Sequence, residues 1–267
     1  MMDQHTHTNY SPDASESTTF LDYVKQAKRL GFQGMMVTEH MDYDSPDPLF
    51  HQLIPYDEYF QAVQQLKIET QFDIRVGVEI GYQKQSLEKI HTLIAKYPFD
   101  FVILSIHIID GLDPYDGSYF QGKTKTESIQ RYFEVLLEAV QSTDDFDVVG
   151  HFDYIMRYCN FEDRSIAISD YQELIDAIFT TLVSKGKGIE INTSGMDDLT
   201  KSMYPSLTIL KRYHQLGGRM ITLGSDAHHE RQLGRYFPEA IALLKEAGFE
   251  EMALYQNRIP TMIPLEG

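Results

Sequence analysis

Apolar runs of strand length alternate with amphipathic runs of helix length from one end of the chain to the other. The apolar runs lie at 1–7, 34–38, 74–80, 101–107, 148–151, 188–192 and 220–225. Between and after them, helical periodicity occupies 20–30, 56–70, 87–96, 127–141, 171–184, 206–216 and 238–247. Several of these helical stretches run into Gly31, Gly186, Gly217 or Gly248, the residue that best accepts the left-handed conformation of a helix end. The alternation predicts repeated βα units around parallel strands, an α/β fold closing as a TIM-like (β/α)7 barrel. No linker rich in Pro, Gly or Ser divides the chain, so a single domain spanning 1–267 is expected. Two longer loops, 41–55 and 108–126, break the rhythm; both are rich in Asp, Pro and Tyr, and loops of that length in a compact barrel often act as substrate lids.

Composition changes the picture only at its edges. At 267 residues, with 42% hydrophobic and 24% charged positions, the chain reads as a soluble globule large enough for one sizeable core. No stretch approaches a membrane span, and the first residues carry neither a basic segment nor an apolar one, so a cytoplasmic protein without a membrane partner is expected. Cys159 is the only cysteine, which excludes an intrachain disulfide and a Cys-rich zinc knuckle. The formal charge of −17 works against binding a phosphate backbone, so nucleic acid is not the expected partner and a small molecule is. Neither heptads nor an interface stripe fixes an oligomeric state.

Candidate chemistry collects where the apolar runs end. Six of the ten histidines (His5, His7, His40, His107, His151 and His228) fall there, together with Glu39, Glu79, Asp153 and Asp226. In Asp3-x-His5-x-His7 strand geometry sends alternate side chains to one face, so both imidazoles can point at a single ion. In a parallel barrel the C-terminal ends of all strands open on one face, which gathers these scattered positions into one site. A carboxylate can bridge two cations where a lone imidazole cannot, so Glu79 and Asp226 among the histidines favour more than one metal, with Glu79 as the bridge.

Other motifs carry less. Residues 117–124 match the phosphate-loop expression G-x-x-x-x-G-K-T letter for letter, but that loop must leave a strand directly and open a helix, and here the preceding strand ends near His107 with Pro114 intervening. Lys123 is kept as a candidate anion contact because its loop leaves the same barrel face. No G-x-S-x-G elbow points to a serine hydrolase. His51, His91, His214 and His229 lie outside the clusters and read as structural or surface residues.

Taken as a set, Asp3-x-His5-x-His7, Thr38-Glu39-His40, Glu79, Ser105-Ile106-His107, Gly150-His151-x-Asp153 and Gly224-Ser225-Asp226-Ala227-His228 resemble the motifs of the polymerase-and-histidinol-phosphatase (PHP) superfamily over nearly the whole chain. Within it, Gly150-His151-Phe152-Asp153-Tyr154 and Glu190-Ile191-Asn192-Thr193-Ser194-Gly195 resemble the stand-alone histidinol-phosphate phosphatases of histidine biosynthesis. The resemblance implies a distorted seven-stranded barrel and three divalent transition metal ions, for which His and carboxylate ligation admits zinc, manganese or iron. It implies one ion held by His5, His7, Glu79 and Asp226, a second by Glu79, His107 and His151, and a third by His40, His228 and a residue shortly after the first motif. Relatives often carry His at that last position; this chain has Asn9-Tyr10-Ser11-Pro12-Asp13, which makes Asp13 the substitute.

The implied reaction is hydrolysis of L-histidinol phosphate by a hydroxide bridging two of the metals, with Asp226 or His228 as the proton relay. Arg157 and Arg235 are candidate phosphate contacts, and Asp42 a candidate partner for the substrate amine. Two rivals keep the same residues: a phosphoesterase acting on nucleotides or oligonucleotides, and a catalytically silent metal-binding protein.

Overall fold

The computed structural model describes residues 1–14, 17–51 and 54–265. Ten strands and eight α-helices run through these residues in the order β1 (Met2–Asp3), α1 (Phe20–Arg29), β2 (Gly34–Val37), β3 (His40–Met41), α2 (Tyr56–Thr70), β4 (Asp73–Gly81), α3 (Leu87–Lys96), β5 (Phe101–Ser105), α4 (Lys125–Ser142), β6 (Val148–Val149), α5 (Ile155–Tyr158), α6 (Ile168–Ser184), β7 (Gly188–Asn192), α7 (Leu207–Gln215), β8 (Ile221–Gly224), α8 (Phe237–Ala247), β9 (Glu251–Gln256) and β10 (Ile259–Pro264). The first eight strands form one parallel sheet in the order β1, β2, β4, β5, β6, β7, β8, with β3 also paired to β4. β2 and β3 are one stave interrupted at Thr38 and Glu39, so the seven staves expected from the sequence are present.

Backbone bonds close the sheet into a distorted barrel. The N–H groups of Gln4, His7 and Asp226 donate to the carbonyls of Leu223, Ala227 and His5, joining the chain beyond β1 to the end of β8. The Asp3 carboxylate reinforces this seam by accepting from the N–H groups of Ser225, Gly234 and His5, and burial pushes its pKa up to about 6 against those bonds. Strands such as β2, β5 and β8 are buried along their whole length, as parallel strands covered on both faces must be. The helices lie outside. In α1 the buried positions Phe20, Tyr23, Val24 and Ala27 form the i, i+3, i+4, i+7 stripe, Thr19 and Asp22 make a reciprocal capping box, and Tyr23 Oη donates to His7 O at 2.6 Å. The expected helix-end glycines, Gly31, Gly186, Gly217 and Gly248, all have positive φ.

The sequence reading missed two features. β9 and β10 form an antiparallel hairpin around Asn257 and Arg258, both at positive φ as a type I′ turn requires. Ala253 and Tyr255 of this hairpin pack with Met2, Met36, Phe101, Ile103 and Val148, which closes the N-terminal end of the barrel. The Gln4 amide fastens the plug, donating to Ala253 O at 2.8 Å and accepting from Tyr255 N at 3.1 Å. The short helix α5 is the other omission, and it carries Arg157. Among the described residues no helix is long and apolar enough to cross a membrane.

Candidate metal centre

Each site residue lies at or just beyond the C-terminal end of a strand. His5 and His7 follow β1, His40 opens β3, Glu79 lies near the end of β4, His107 follows β5, His151 follows β6, and Asp226 and His228 follow β8. Glu79 is the hub. Its Oε1 is 2.8 Å from His151 Nε2 and 3.3 Å from His107 Nε2, and it accepts a bond of 2.7 Å from Ser105 Oγ. Its Oε2 is 3.4 Å from His5 Nε2, 3.5 Å from His7 Nε2 and 3.0 Å from His40 Nδ1. A carboxylate approached on both oxygens by five imidazoles from four staves occupies the place a bridging ligand needs.

Asp226 joins on one side and Asp13 on the other. Asp226 Oδ1 lies 3.3 Å from His7 Nε2 and 3.7 Å from His5 Nε2, from a backbone at φ +51°, a left-handed conformation that a non-glycine residue keeps only when its surroundings enforce it. Asp13 Oδ2 is 3.0 Å from His228 Nε2 and 3.4 Å from His40 Nε2, so it stands beside the two imidazoles with which the sequence reading grouped it. The His7 ring lies 4.1 Å from that of His40 and 4.3 Å from that of His228, centroid to centroid.

The arrangement fits a cation on two counts. His5 Nδ1 lies 2.6 Å from Glu190 Oε1, which can only accept; His7 Nδ1 lies 3.2 Å from Ser11 Oγ, whose own hydrogen goes to Glu39. Both rings therefore carry a proton on Nδ1, and their Nε2 lone pairs face each other across 3.1 Å. Only a cation between them, a proton or a metal ion, relieves that opposition. Glu79 Oε2, His40 Nδ1, Asp42 Oδ2 and His151 Nδ1 are likewise buried without a hydrogen-bond partner, a concentration of orphaned polar atoms that protein interiors otherwise avoid. Among the described residues, four sets of donor atoms are spaced to share an ion: His5, His7 and Glu79; Glu79, His107 and His151; His7, His40 and His228; and His40, Asp42 and His107.

Titration follows the same logic. Burial opposes the charge on Glu79, but His5, His107 and His40 outweigh it and hold the carboxyl well below its ordinary range. Burial alone would depress His5; Glu190, Glu79 and Asp226 reverse this and raise it well above an ordinary imidazole. His107 rises to about 10 because Asp42 and Glu79 overcome burial, whereas burial with the His40 and His228 charges brings His7 down to about 3. The carboxylates thus favour positive charge on His5 and His107 but not on His7.

A family model described as PHP domain matches residues 3–194. The chain belongs to the PHP domain family. It is 34% identical over 260 residues to a histidinol-phosphatase of Lactococcus lactis, covering 96% of this chain and 94% of that protein. It is 30% identical over 261 residues to a probable histidinol-phosphatase of Clostridium acetobutylicum, covering 97% and 98% respectively. Its fold superposes with a TM-score of 0.88, at 32% identity over 97% of this chain and 98% of the other, on a crystal structure of the Lactococcus lactis histidinol phosphate phosphatase complexed with zinc, L-histidinol and phosphate.

The PHP site opens into a cavity of about 470 Å³, lined on one side by Asp42, Leu49 and Phe50 of the first long loop and on another by Ile108, Asp113 and Tyr115 of the second. Arg157 reaches this cavity with Nη1 3.3 Å from Asp226 Oδ2 and 3.4 Å from Ser194 Oγ. Arg235 also borders it, but its guanidinium already holds Ser225 O, at 3.2 and 3.0 Å, and Asp197 Oδ2, at 2.7 Å. Asp42 is committed to the ligands: Oδ1 accepts from His107 Nδ1 at 2.7 Å and Oδ2 lies 3.3 Å from His40 Nδ1. Room for it comes from Gly81, where a Cβ would stand 1.9 Å from Asp42 Oδ1. Lys123 is not brought to the site; its ammonium donates to Tyr119 O at 2.6 Å, and it is not among the cavity-lining residues. The 117–124 segment is a single 3-10 turn followed by a capped helix, with Thr124 as the N-cap.

Glu39 and Asp153 stand back from the ligand cluster. Glu39 accepts from Thr8 N, Thr8 Oγ1 and Ser11 Oγ, so it supports His7 through Ser11. Asp153 Oδ2 accepts from Ser206 N at 3.3 Å and ties the β6 loop to the start of α7. Sequence reasoning gave no role to Glu190, Ser105 or Ser11, which orient the ligands from behind; the E-x-N-x-S spacing around Glu190 was the available signal.

Proposed function

We infer that this PHP domain is a histidinol-phosphatase, hydrolysing L-histidinol phosphate to L-histidinol and phosphate in histidine biosynthesis. The observation that carries this is the union of a full-length likeness to histidinol-phosphatases with an intact ring of His and carboxylate ligands under a cavity of about 470 Å³, the size of a small molecule. A cytoplasmic location goes with a freely diffusing amino-alcohol phosphate as substrate.

We propose three ions: one at His5, His7, Glu79 and Asp226, one at Glu79, His107 and His151, and one at His40, His228 and Asp13. Zinc, manganese and iron all suit these ligands. Bound there, divalent ions would neutralise phosphoryl charge and bring the pKa of water towards neutrality.

The protein's own side chains supply the rest. Of the two arginines that line the cavity among the described residues, Arg157 is the one not tied to a backbone carbonyl of the 224–228 segment, and it would present donors to equatorial phosphoryl oxygens beside Asp226. Asp226 faces two ways, with Oδ1 towards His5 and His7 and Oδ2 towards Arg157 and Ser194. It takes the proton of the attacking water and returns it to the leaving alkoxide. His228 turns Nε2 to Asp13 and Nδ1 to Asp226, and an imidazole that holds an ion cannot deliver a proton from the same nitrogen, so Asp226 is the better relay. The substrate amine is left to the carboxylates nearer the mouth, since both oxygens of Asp42 face imidazoles.

The test is phosphate release from L-histidinol phosphate with zinc or manganese, repeated after chelation and against other phosphomonoesters and nucleotides. Chelator-sensitive release selective for L-histidinol phosphate is expected. Turnover of nucleotides with none of L-histidinol phosphate would overturn the substrate and keep the site.

A further inference from the structure

Glu190 is a fully buried carboxylate on β7 that reaches the lumen of the barrel, 1% exposed, and nothing in the reaction described above uses it. Its two oxygens face different partners. Oε1 receives His5 Nδ1–H at 2.6 Å, while Oε2 receives the backbone N–H of His151 at 3.0 Å and the Asn192 side-chain amide at 3.1 Å. The neighbouring stave leaves space for it: a Cβ on Gly224 would lie 2.2 Å from Glu190 Oε1 and 2.4 Å from His5 Cβ. One buried anion thus touches two candidate ligands, His5 and His151, that lie on opposite sides of β7 around the barrel.

We propose that Glu190 is a positioning residue that fixes the Nδ1–H tautomer of His5, keeps its Nε2 lone pair turned to the ion position shared with His7, and seats the His151 backbone at the same time. The inference rests on the metal-dependent reading above. A carboxylate accepts at both oxygens; an amide of the same shape accepts at one end and donates at the other. In Glu190→Gln the amide NH2 must face either the His151 N–H, donor against donor, or His5 Nδ1, which then gives up its proton and moves it to Nε2, where it blocks the metal. Either choice damages one ligand while changing the side-chain volume hardly at all. Loss of such an outer partner typically weakens metal binding by about 10- to 100-fold.

The experiment is zinc binding by competition with a chromophoric chelator, with bound metal counted after desalting, on the wild-type protein, Glu190→Gln, His5→Ala and the double variant, each checked for fold by circular dichroism. Glu190→Gln is expected to lose about 10- to 100-fold in affinity for one zinc equivalent, and to lose nothing further in the His5→Ala background. A folded Glu190→Gln that holds every zinc with wild-type affinity overturns the proposal, as does an undiminished effect without His5. Wild-type protein that binds no zinc overturns the metal reading along with it. Should Glu190→Gln not fold, long-range 15N–1H correlation of the histidine rings in zinc-loaded wild-type protein decides the matter. The resonance lost in His5→Ala must report a proton on Nδ1; a proton on Nε2 would refute the assignment.

Discussion

Asp153→Asn isolates the consequence of one buried charge beside the metal centre. Asp153 is 5% exposed, its Oδ2 accepts one long bond from Ser206 N, and its Oδ1 has no partner. Burial, only partly offset by backbone hydrogen bonds, pushes its carboxyl from 3.8 to about 7. An acid whose folded pKa lies above its unfolded value favours folding while protonated. Its contribution is complete below about pH 4 and is lost as pH rises through about 7. A shift of about three units corresponds to about 4 kcal/mol, at roughly 1.4 kcal/mol per unit. Asn keeps the shape, can still accept from Ser206 N through its amide oxygen, and never ionises. The variant is therefore expected to gain on the wild type by about 1.4 kcal/mol per pH unit between about pH 4 and 7, with the gap constant above that. Urea unfolding followed by circular dichroism across this range measures the difference, with chelator present so that the ligand histidines titrate alike in both proteins. Stability curves that run parallel from about pH 5 to 7 would refute the reasoning.

Four further outcomes follow from the geometry. Glu79→Gln should abolish phosphate release while leaving the circular dichroism spectrum intact; activity retained in the folded variant removes Glu79 from the hub. Gly81→Ala places a Cβ 1.9 Å from Asp42 Oδ1 and should lower the unfolding free energy by roughly 1–3 kcal/mol and weaken metal retention, so an unchanged urea midpoint would contradict the packing. Arg157→Ala should raise KM for the phosphomonoester by roughly tenfold or more, the scale of one charged hydrogen bond, whereas Arg235→Ala should show first in the unfolding midpoint because it frees the Ser225 carbonyl and Asp197. Lys123→Ala should leave kcat and KM unchanged in steady-state assays, since its ammonium is bonded to Tyr119 O outside the cavity.

The barrel was legible because its strands are buried on both faces and its helices on one. That contrast set 56–70, 87–96 and 188–192 at the residues where α2, α3 and β7 lie. Strand ends were overrun where the apolar pattern continues into site residues. The 101–107 run stops as a ladder at Ser105, and the 148–151 run at Val149, because His107 and His151 turn out of the sheet towards Glu79. The C-terminal hairpin escaped notice because β10 alternates weakly and is mostly exposed, and its two turn residues, Asn257 and Arg258, lack the glycine that usually marks a I′ turn.

The candidate ligands were readable for a different reason: histidine is scarce, and six of ten at strand ends is a pattern no core requirement produces. The carboxylates behind them are not marked in that way. Asp42 meets His107 across 65 residues of chain and Glu190 meets His5 across 185, and both meetings depend on the register of staves that do not adjoin in sequence. What the sequence does carry is the complementary vacancy. Gly81 and Gly224 are the positions where a side chain would collide with those two carboxylates. A glycine inside a strand weakens it, so a glycine in the lumen of a buried barrel strand marks a neighbour that needs the space. In this chain the neighbour at both positions is an acid holding the back of an imidazole in the candidate metal centre, and pairing lumenal glycines with acids on neighbouring staves is the step that would have led from those imidazoles to the groups that aim them.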